Sequence, residues 1–343
     1  MTVMSDVRHI IDQYHDNQEL YRSLKSDIND ILGRIIETNH FRISNMNIRI
    51  KDEEALKKKI IYKDKYCDIN EITDVVAARI ITLFENDVDR IYECIKDDFD
   101  IVEYKDKRKK NYDDRIDFGY NSLHLLLKFN ENRCQLIEYA DYKDIVFELQ
   151  IRTTIQHSWA EIEHGLGYKS QYEIPKDIRR RLTRLSATLE LLDEEFVYIA
   201  KAIDEYNKGL VHIEKVLKTD INYNSLIQYI NTSPVINALL EKLHNELKFS
   251  FERDAVLISQ ARLIQRFHYM GYTYIHELDH FVQKHLKEIE MLAKQRLAIH
   301  SKKDPVNIYN VLIWISLVML ARDGLKDPED IFSEETISEY KQK

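Results

Sequence analysis

The segment from residue 146 to residue 169 constrains the fold most, because it joins a short strand to a polar helix. Along its first half, apolar and polar residues alternate: Phe147, Leu149 and Ile151 against Glu148, Gln150 and Arg152. Alternation of this kind predicts a strand with one buried face and one polar face. Thr153 or Thr154 can then cap a following helix.

The polar face of this strand predicts a binding site. A carboxylate, an amide and a guanidinium lie on one face, and the capped helix that follows adds four further side chains: His157, Trp159, Glu161 and His164. Carboxylates bind divalent cations, and the N-terminus of a helix attracts anions. The segment is therefore suited to a metal-bound polyphosphate, although a half-solvated strand would show the same alternation.

Length and composition favour a soluble, helix-rich protein of two domains. The chain has 343 residues, with only 7 Gly and 4 Pro, and 32% of its residues are charged. The three cysteines, Cys67, Cys94 and Cys134, lack CxxC spacing, which argues against a disulfide framework or a zinc knuckle. We therefore expect a cytoplasmic protein.

Neither a membrane anchor nor general nucleic-acid binding is predicted. The N-terminus lacks the apolar core of a signal peptide, and the longest apolar run, residues 311 to 321, is too short to span a bilayer. The net charge of −9 means that any anion site must be a local group of Lys and Arg.

Two segments upstream supply charged residues that could face such a site. Arg49 and Lys51 are two residues apart on a predicted strand, and Lys59 lies on the predicted helix that follows. Asp74 and Arg79 lie at the start of another predicted strand, near residues 78 to 84. A basic helix start and a surface ion pair would explain these residues equally well when each segment is considered alone.

A run of basic residues precedes two more candidates. Lys109 and Lys110 belong to a charged segment at 105 to 115, where a solvated loop is the usual structure. Tyr120 and His124 follow within Gly-Tyr-Asn-Ser-Leu-His, ahead of a predicted strand at 122 to 129.

Taken together, these motifs closely resemble the synthetase domain of the RelA/SpoT family of alarmone synthetases. The resemblance rests on Glu-x-Gln-Ile-Arg-Thr with the His-x-Trp-Ala-Glu-x-Glu-His that follows, on Arg-x-Lys from Arg49 to Lys51, on Ile-Thr-Asp from Ile72 to Asp74, and on Gly-Tyr-x-Ser-Leu-His. By this resemblance the chain is a small synthetase without the family's hydrolase domain, and is expected to make guanosine tetraphosphate or pentaphosphate.

The resemblance also implies a role for each candidate residue. Asp74 and Glu148 would hold Mg²⁺ and act in catalysis; Arg49, Lys51 and Lys59 would bind the ATP phosphates; and Arg79 would stack on adenine. Acceptor binding would fall to the following residues: Tyr120, His124, Gln150, Arg152, Lys109 and Lys110. The implied partners are ATP and GDP or GTP, and a homo-oligomer is expected because oligomers are common among the small members.

The sequence departs from the family pattern mainly in the acceptor half. Ile116-Asp117-Phe118 replaces the usual Lys-x-Asn, and Ala77 replaces a Gly. The same donor chemistry could therefore act on another acceptor, the 3′ end of tRNA or an adenosine nucleotide, as a growth-inhibiting toxin. A nucleotide-binding regulatory module without catalysis is the alternative of another class.

We expect an α+β fold: a nucleotidyltransferase-like mixed sheet flanked by helices over residues 1–200, with an N-terminal helix or broken helix pair and a closing helix from about 176 to 199. Residues 201–343 predict an all-helical accessory domain of unknown role. Within it, His276 and His280 satisfy the zinc-protease pattern His-Glu-x-x-His. Asp279 inside the pair, and the lack of an evident third ligand, argue against a metal there.

Overall fold

The structure, a computed structural model, describes residues 2–108, 122–166, 175–253, 260–300 and 304–323. Contacts within the chain divide it into two compact units, Met1–Ala200 and Lys201–Lys343.

The first unit contains a five-stranded sheet and the helices that flank it. Its helices and strands in chain order are α1 Thr2–Asp16, α2 Gln18–Thr38, β1 Ile43–Ile50, α3 Glu53–Lys63, β2 Val76–Thr82, α4 Glu85–Ile95, β3 Phe99–Asp106, β4 Leu123–Phe129, α5 Glu131–Cys134, β5 Phe147–Thr153, α6 Thr154–Gly165 and α7 Lys176–Gly209. The N-terminal segment is thus a broken helix pair, one of the two forms expected. The last helix, α7, runs ten residues past the predicted end.

The sheet is mixed, as predicted. Its strand order is β1-β2-β5-β4-β3, and β2 and β5 are parallel while the other neighbours are antiparallel. Strand β5, which carries Glu148, lies between β2, which carries Arg79, and β4, which carries His124. Strand ends shift by about two residues, since β2 was expected to begin at Ala78 and begins at Val76.

One face of the sheet forms the core of this unit. The inward side chains of β4 and β5 are fully buried: Leu123, Leu125, Leu127, Phe147, Leu149 and Ile151. Helices α2 and α4 pack on the sheet, and each fully buried aliphatic or aromatic side chain stabilises the fold by about 1.5–3 kcal/mol. The opposite face carries Glu148, Gln150 and Arg152, so the alternation of β5 separates core from site.

The second unit has its own apolar core and is mostly helical. Its elements in chain order are α8 Ile213–Val216, α9 Tyr223–Thr232, α10 Pro234–Leu247, β6 Phe251–Glu252, α11 Gln260–Tyr269, α12 Ile275–Lys284, α13 Leu286–Ala298, β7 Val306–Asn307 and α14 Asn310–Asp323. The prediction that it is all-helical was wrong in one respect, because β6 and β7 pair in parallel. Two-residue strands leave no alternation to detect in a sequence. None of the helices in the described ranges combines the length and apolar character needed to cross a membrane.

Candidate active site on the polar face of the sheet

Asp74 forms ion pairs with the two lysines expected to bind phosphate. Lys51 Nζ lies 2.9 Å from Asp74 Oδ2, and Lys59 Nζ lies 2.6 Å from Asp74 Oδ1. Lys51 is 12% exposed, Lys59 24% and Asp74 18%, so the three side chains are mostly shielded from solvent. Partly buried charges interact more strongly than fully solvated ones. The two ion pairs therefore hold the three side chains together.

The backbone around Lys51 fixes the position of this cluster. Its N–H donates to the carbonyl of Val75 at 2.8 Å, and the Tyr14 hydroxyl donates to its carbonyl oxygen at 2.7 Å. Asp52 then accepts from Ala55 N–H as the N-cap of α3. Because α3 begins at this point, Lys59 reaches back to the same carboxylate two turns later.

Glu148 lies at the centre of the polar face. It is opposite Ala77 of β2 on one side and Leu126 of β4 on the other. Its Oε1 accepts from His124 Nδ1 at 3.0 Å, and His124 Nε2 lies 2.9 Å from Ser122 Oγ. Since an ionised carboxylate only accepts, His124 carries a proton on Nδ1.

The surroundings of Glu148 keep it ionised. Burial alone would raise its pKa, but hydrogen bonds from His124 and Gln150, together with the charges of His124 and Lys59, lower the pKa of Glu148 to about 2. The Lys59 ammonium therefore acts on both Asp74 and Glu148. A cation between two carboxylates is thus already a feature of this site.

A relay of hydrogen bonds also connects Glu148 to Arg152. The Gln150 amide donates to Glu148, and its oxygen accepts from the Arg152 guanidinium. Gln150 therefore orients the carboxylate from one side while His124 holds it from the other. Both residues were expected near an acceptor, and the structure brings them to the same carboxylate.

Beyond Gln150 lies a cationic cluster. Burial and the neighbouring charge of Arg79 lower the pKa of Arg152 to about 10, and Arg152 is only 6% exposed. Burial and the same two arginines lower the pKa of His157. Glu161 is the acidic neighbour, and its Oε1 lies 3.9 Å from both Arg79 Nη1 and His157 Nδ1. This carboxylate is too distant for a hydrogen bond.

Three buried donors or acceptors of this region lack a hydrogen-bond partner within the described residues. They are Arg152 Nε, His157 Nδ1 and Trp159 Nε1. Buried polar atoms are usually satisfied, and an unsatisfied one costs about 1–3 kcal/mol. Arg152 and His157 both lie close enough to Arg79 for its charge to lower their pKa values, so their unsatisfied atoms are a reason to expect a polar ligand here.

Arg49 lies on the same face as Glu148. Its register partner is Ala77, whose own partner across β2 and β5 is Glu148, and the Arg49 side chain is exposed. Ala77, the residue expected to replace a Gly, is buried and lies between Arg49 and Glu148 across the sheet.

Part of the predicted acceptor half lies outside the described residues. This part comprises Lys109, Lys110, Tyr120 and the substituted segment 116–118. His124, Gln150 and Arg152 are the predicted acceptor residues that the structure describes.

Sequence reasoning did not anticipate two contacts of the site. Ser122 was not singled out, although it is two residues before His124 and therefore on the same side of the chain as it enters β4. Asp193 of α7 accepts from Thr153 Oγ1 at 2.6 Å. No local pattern could signal that bond, because its partners are 40 residues apart.

The donor set suits Mg²⁺. Asp74 and Glu148 supply carboxylate oxygens, and magnesium in phosphoryl-transfer sites is usually held by one or two carboxylates together with substrate phosphates. Within the described residues no group of three or more His, Cys, Asp or Glu forms a complete metal cage. Such a cage is not required when the substrate contributes oxygens.

The His-Glu-x-x-His motif of the second unit has a structural explanation. Glu277 accepts from the N–H groups of Thr273 and Tyr274 at 2.8 and 2.9 Å, and so caps the start of α12. His276 and His280 are both exposed, and Asp279 accepts from the Tyr229 hydroxyl at 2.9 Å. The motif thus encodes a helix start and an internal hydrogen bond.

The first unit matches known proteins. Residues 48–173 match the family model described as "Region found in RelA / SpoT proteins". The GTP pyrophosphokinase YwaC of Bacillus subtilis is 28% identical over 221 residues, which cover 60% of this chain and 98% of that protein. YjbM of the same organism is 29% identical over 172 residues, covering 49% and 77% respectively.

Two solved structures were also found to be similar to part of the chain. The small alarmone synthetase 1 from Bacillus subtilis bound to its product pppGpp is 26% identical, covers 57% of this chain and 99% of its own, and superposes with a TM-score of 0.46. A GTP pyrophosphokinase family protein from Streptococcus pneumoniae is 24% identical, with coverage of 56% and 95% and a TM-score of 0.46.

The matched region runs from the last three residues of β1 past the end of α6, and it includes the described residues of the polar face named above. The first unit therefore contains a region that matches the RelA/SpoT family model, and the chain is similar to the two GTP pyrophosphokinases. The second, mostly helical unit follows that region.

Proposed function

We propose that the protein transfers the β,γ-pyrophosphate of ATP to the 3′-hydroxyl of GDP or GTP, releasing AMP. The observation that carries this proposal is Glu148: an ionised carboxylate between a Lys-Asp-Lys cluster on one side and an arginine cluster on the other. Assignment of the protein to the pyrophosphokinases is supported by its similarity to relatives named as GTP pyrophosphokinases.

The donor would bind at the end of the sheet near Asp74. Lys51 and Lys59, both paired with Asp74, would bind phosphate oxygens of ATP, and the Asp74 carboxylate would help to hold Mg²⁺. Arg49 is exposed on the same face and free to reach the donor, while Arg79 offers a planar guanidinium to adenine.

The reaction needs alignment and charge neutralisation more than covalent chemistry. The acceptor 3′-oxygen bonds to the β-phosphorus, the bond from that phosphorus to the α,β-bridging oxygen breaks, and AMP keeps the bridging oxygen. When bound, Mg²⁺ would neutralise charge on the phosphates. Glu148, held by His124 and Gln150, is oriented to bind that ion or to receive the hydroxyl proton.

The second half of the site would hold the acceptor. Arg152 and His157 present buried polar atoms without partners in the described part of the chain, beside Arg79. A phosphorylated nucleoside supplies the anionic and hydrogen-bonding groups that such a cluster lacks. Tyr120, Lys109 and Lys110 would complete acceptor recognition.

The alternative function differs from the proposed one only in the acceptor of the pyrophosphate group. Ile116-Asp117-Phe118 in place of Lys-x-Asn favours a test of other acceptors, the tRNA 3′ end or an adenosine nucleotide. The purified protein is incubated with Mg²⁺ and ATP labelled on its γ-phosphate, in parallel with GDP, GTP, ATP alone and deacylated tRNA. Label in GDP or GTP supports the proposal, and label only in tRNA assigns the toxin activity.

A nucleotide-binding module without catalysis is distinguished in the same assay. It would bind ATP, as measured by calorimetry, but transfer no label to any acceptor. The proposed reaction consumes ATP and guanosine nucleotides, and these substrates fit the expected cytoplasmic location.

A further inference from the structure

Helix α7 buries few of its side chains against the first unit. Within the described residues, Ser186 and Asp193 are the buried residues of this 34-residue helix, at 3% and 1% exposure. Apolar side chains on its other faces remain 44–49% exposed, among them Leu185, Leu192 and Phe196. An element that buries little apolar surface opens at a low cost in free energy. The docking of α7 therefore depends strongly on the polar contact that Asp193 makes.

The partner of Asp193 is the residue at which β5 ends and α6 begins. Thr153 Oγ1 donates to Asp193 Oδ2 at 2.6 Å. The same hydroxyl accepts from the Gln156 N–H at 3.1 Å, and the Gln156 side chain accepts from the Thr153 N–H at 3.0 Å, which completes the capping box of α6. Hydrogen bonds in such a chain strengthen one another. Asp193 therefore supports the first turn of α6 through Thr153.

This first turn carries two residues of the cationic cluster in the candidate active site. Arg152 immediately precedes Thr153, and His157 follows Thr153 by one turn of α6. Each of the two side chains has a buried polar atom that lacks a hydrogen-bond partner among the residues that the structure describes. Since their own contacts are incomplete, the positions of both side chains depend on the backbone from which they project.

The surroundings of Asp193 make its contact with Thr153 sensitive to charge. Charged groups of each neighbouring element lie in this region: Glu85 of α4, Arg108 after the end of β3, and Glu190 and Glu194 of α7. Arg108 Nη1 lies 4.0 Å from Glu85 Oε1, but this guanidinium donates its hydrogen bonds to two other carboxylates. Burial and the charge of Glu85 raise the pKa of Asp193 to about 7. Docked α7 therefore favours a protonated Asp193.

We propose that Asp193 is a positioning residue for the acceptor half of the site, because its contact with Thr153 couples the docking of α7 to the placement of Arg152 and α6. This inference rests on the proposed function, which assigns Arg152 and His157 to the acceptor. While α7 is docked, the cap of α6 is complete and the acceptor binds tightly. When α7 leaves the unit, Thr153 loses the group that accepts from its hydroxyl, and acceptor binding weakens.

Hydrogen exchange of the full-length chain, followed by mass spectrometry, tests the coupling. At pH 6, Asp193→Ala is expected to lower the protection of the α6 peptide that contains Gln156 about five-fold, the effect of one lost hydrogen bond. Peptides from β5 should keep their protection, which separates this effect from global unfolding. Ser186→Ala is the matched control, since it shortens the other buried side chain of α7 and leaves the contact with Thr153 intact. Unchanged α6 protection in Asp193→Ala would overturn the proposal.

A pair of substitutions assigns the effect to the contact itself. Thr153→Val removes the hydroxyl, so adding Asp193→Ala in that background should have no further effect on α6. Thr153→Ser keeps the hydroxyl and should retain nearly the protection of the wild-type chain. If the effects of Thr153→Val and Asp193→Ala simply add, Asp193 does not act through Thr153 and the proposal is wrong.

The pH dependence is a readout that a merely structural role would not change. In the wild-type chain, α6 protection, corrected for the intrinsic exchange rate, should fall between about pH 5 and about pH 7, because ionisation of Asp193 favours the undocked helix. Asp193→Asn keeps an acceptor for the Thr153 hydroxyl and does not ionise. It should therefore abolish this fall and exceed the wild-type protection at pH 8. The same fall in Asp193→Asn would contradict the proposal.

Steady-state kinetics connects the contact to the acceptor. At pH 6, Asp193→Ala should raise the KM for GDP or GTP about five-fold, with little change in the KM for ATP, since the ion pairs of Asp74 with Lys51 and Lys59 do not involve α6. An equal rise in both KM values would overturn the assignment to the acceptor half. If the wild-type chain transfers no pyrophosphate, the proposed function fails, and hydrogen exchange still decides whether Asp193 positions α6.

Discussion

Replacing Asp193 by Asn tests a buried charge that the fold tolerates at a cost. Asp193 is 1% exposed and accepts from Thr153, the residue that caps α6. Burial, with the nearby charge of Glu85, raises the pKa of Asp193 from its ordinary 3.8 to about 7. Asn keeps an acceptor for the Thr153 hydroxyl but carries no charge.

The sign of the effect follows from proton linkage. Because the folded-state pKa is raised, the folded chain binds more protons than the unfolded chain between about pH 4 and pH 7. Stability is therefore lost as the pH rises through this window, and the loss is complete above about pH 7. A shift of roughly 3 pKa units corresponds to about 4 kcal/mol, so Asp193→Asn should stabilise the first unit by about 2–4 kcal/mol at pH 8.

Urea unfolding at pH 4 and pH 8 measures this effect. The chain has two tryptophans, Trp159 in the first unit and Trp314 in the second, so a Trp314→Phe background lets fluorescence follow the first unit alone. We expect a gain at pH 8 that nearly disappears at pH 4. Asp204→Asn, at an exposed position of the same helix, should show neither effect. A destabilised Asp193→Asn at pH 8 would refute the reasoning.

Three further predictions concern single contacts. Lys59→Met removes one of the two ammonium groups on Asp74 and should lower transfer of pyrophosphate about 10²-fold in steady-state kinetics, with circular dichroism unchanged. Arg152→Lys cannot reproduce the planar guanidinium and should raise the acceptor KM about ten-fold with a smaller change in kcat; an unchanged KM would exclude acceptor contact. Glu277→Ala should destabilise the second unit by about 0.5–2 kcal/mol, Glu277→Gln should be nearly neutral, and added Zn²⁺ should not shift the melting temperature of the wild-type chain.

Local patterns predict much of the fold because they report which face of an element is buried. The alternation of Phe147, Leu149 and Ile151 defines both β5 and its polar face, and Thr153 caps α6 as one of the two expected candidates. Strand ends are less certain: β2 begins two residues early, where Val76 is already buried and paired with Ile50.

Contacts between distant residues account for what the sequence could not reveal. Lys51 meets Asp74 only because β1 and β2 are antiparallel neighbours and α3 turns back over their ends. The bond between Thr153 and Asp193 depends on how α7 docks. The exposure of Leu185 and Leu192 on α7 could not be predicted either, because periodicity identifies an apolar face but not the surface that covers it.

Among the candidate residues, Glu148 is the one on which the proposed transfer of pyrophosphate depends most. The most direct test compares the rate of pyrophosphate transfer from ATP by the wild-type chain with that of Glu148→Gln, with ATP binding measured by calorimetry. Glu161→Gln is the matched control, the same change at a carboxylate that is 65% exposed and 3.9 Å from its neighbours. We predict a loss of at least about 10²-fold in Glu148→Gln, retained ATP binding, and a loss of less than about three-fold in Glu161→Gln. Near-native transfer by Glu148→Gln would contradict the account.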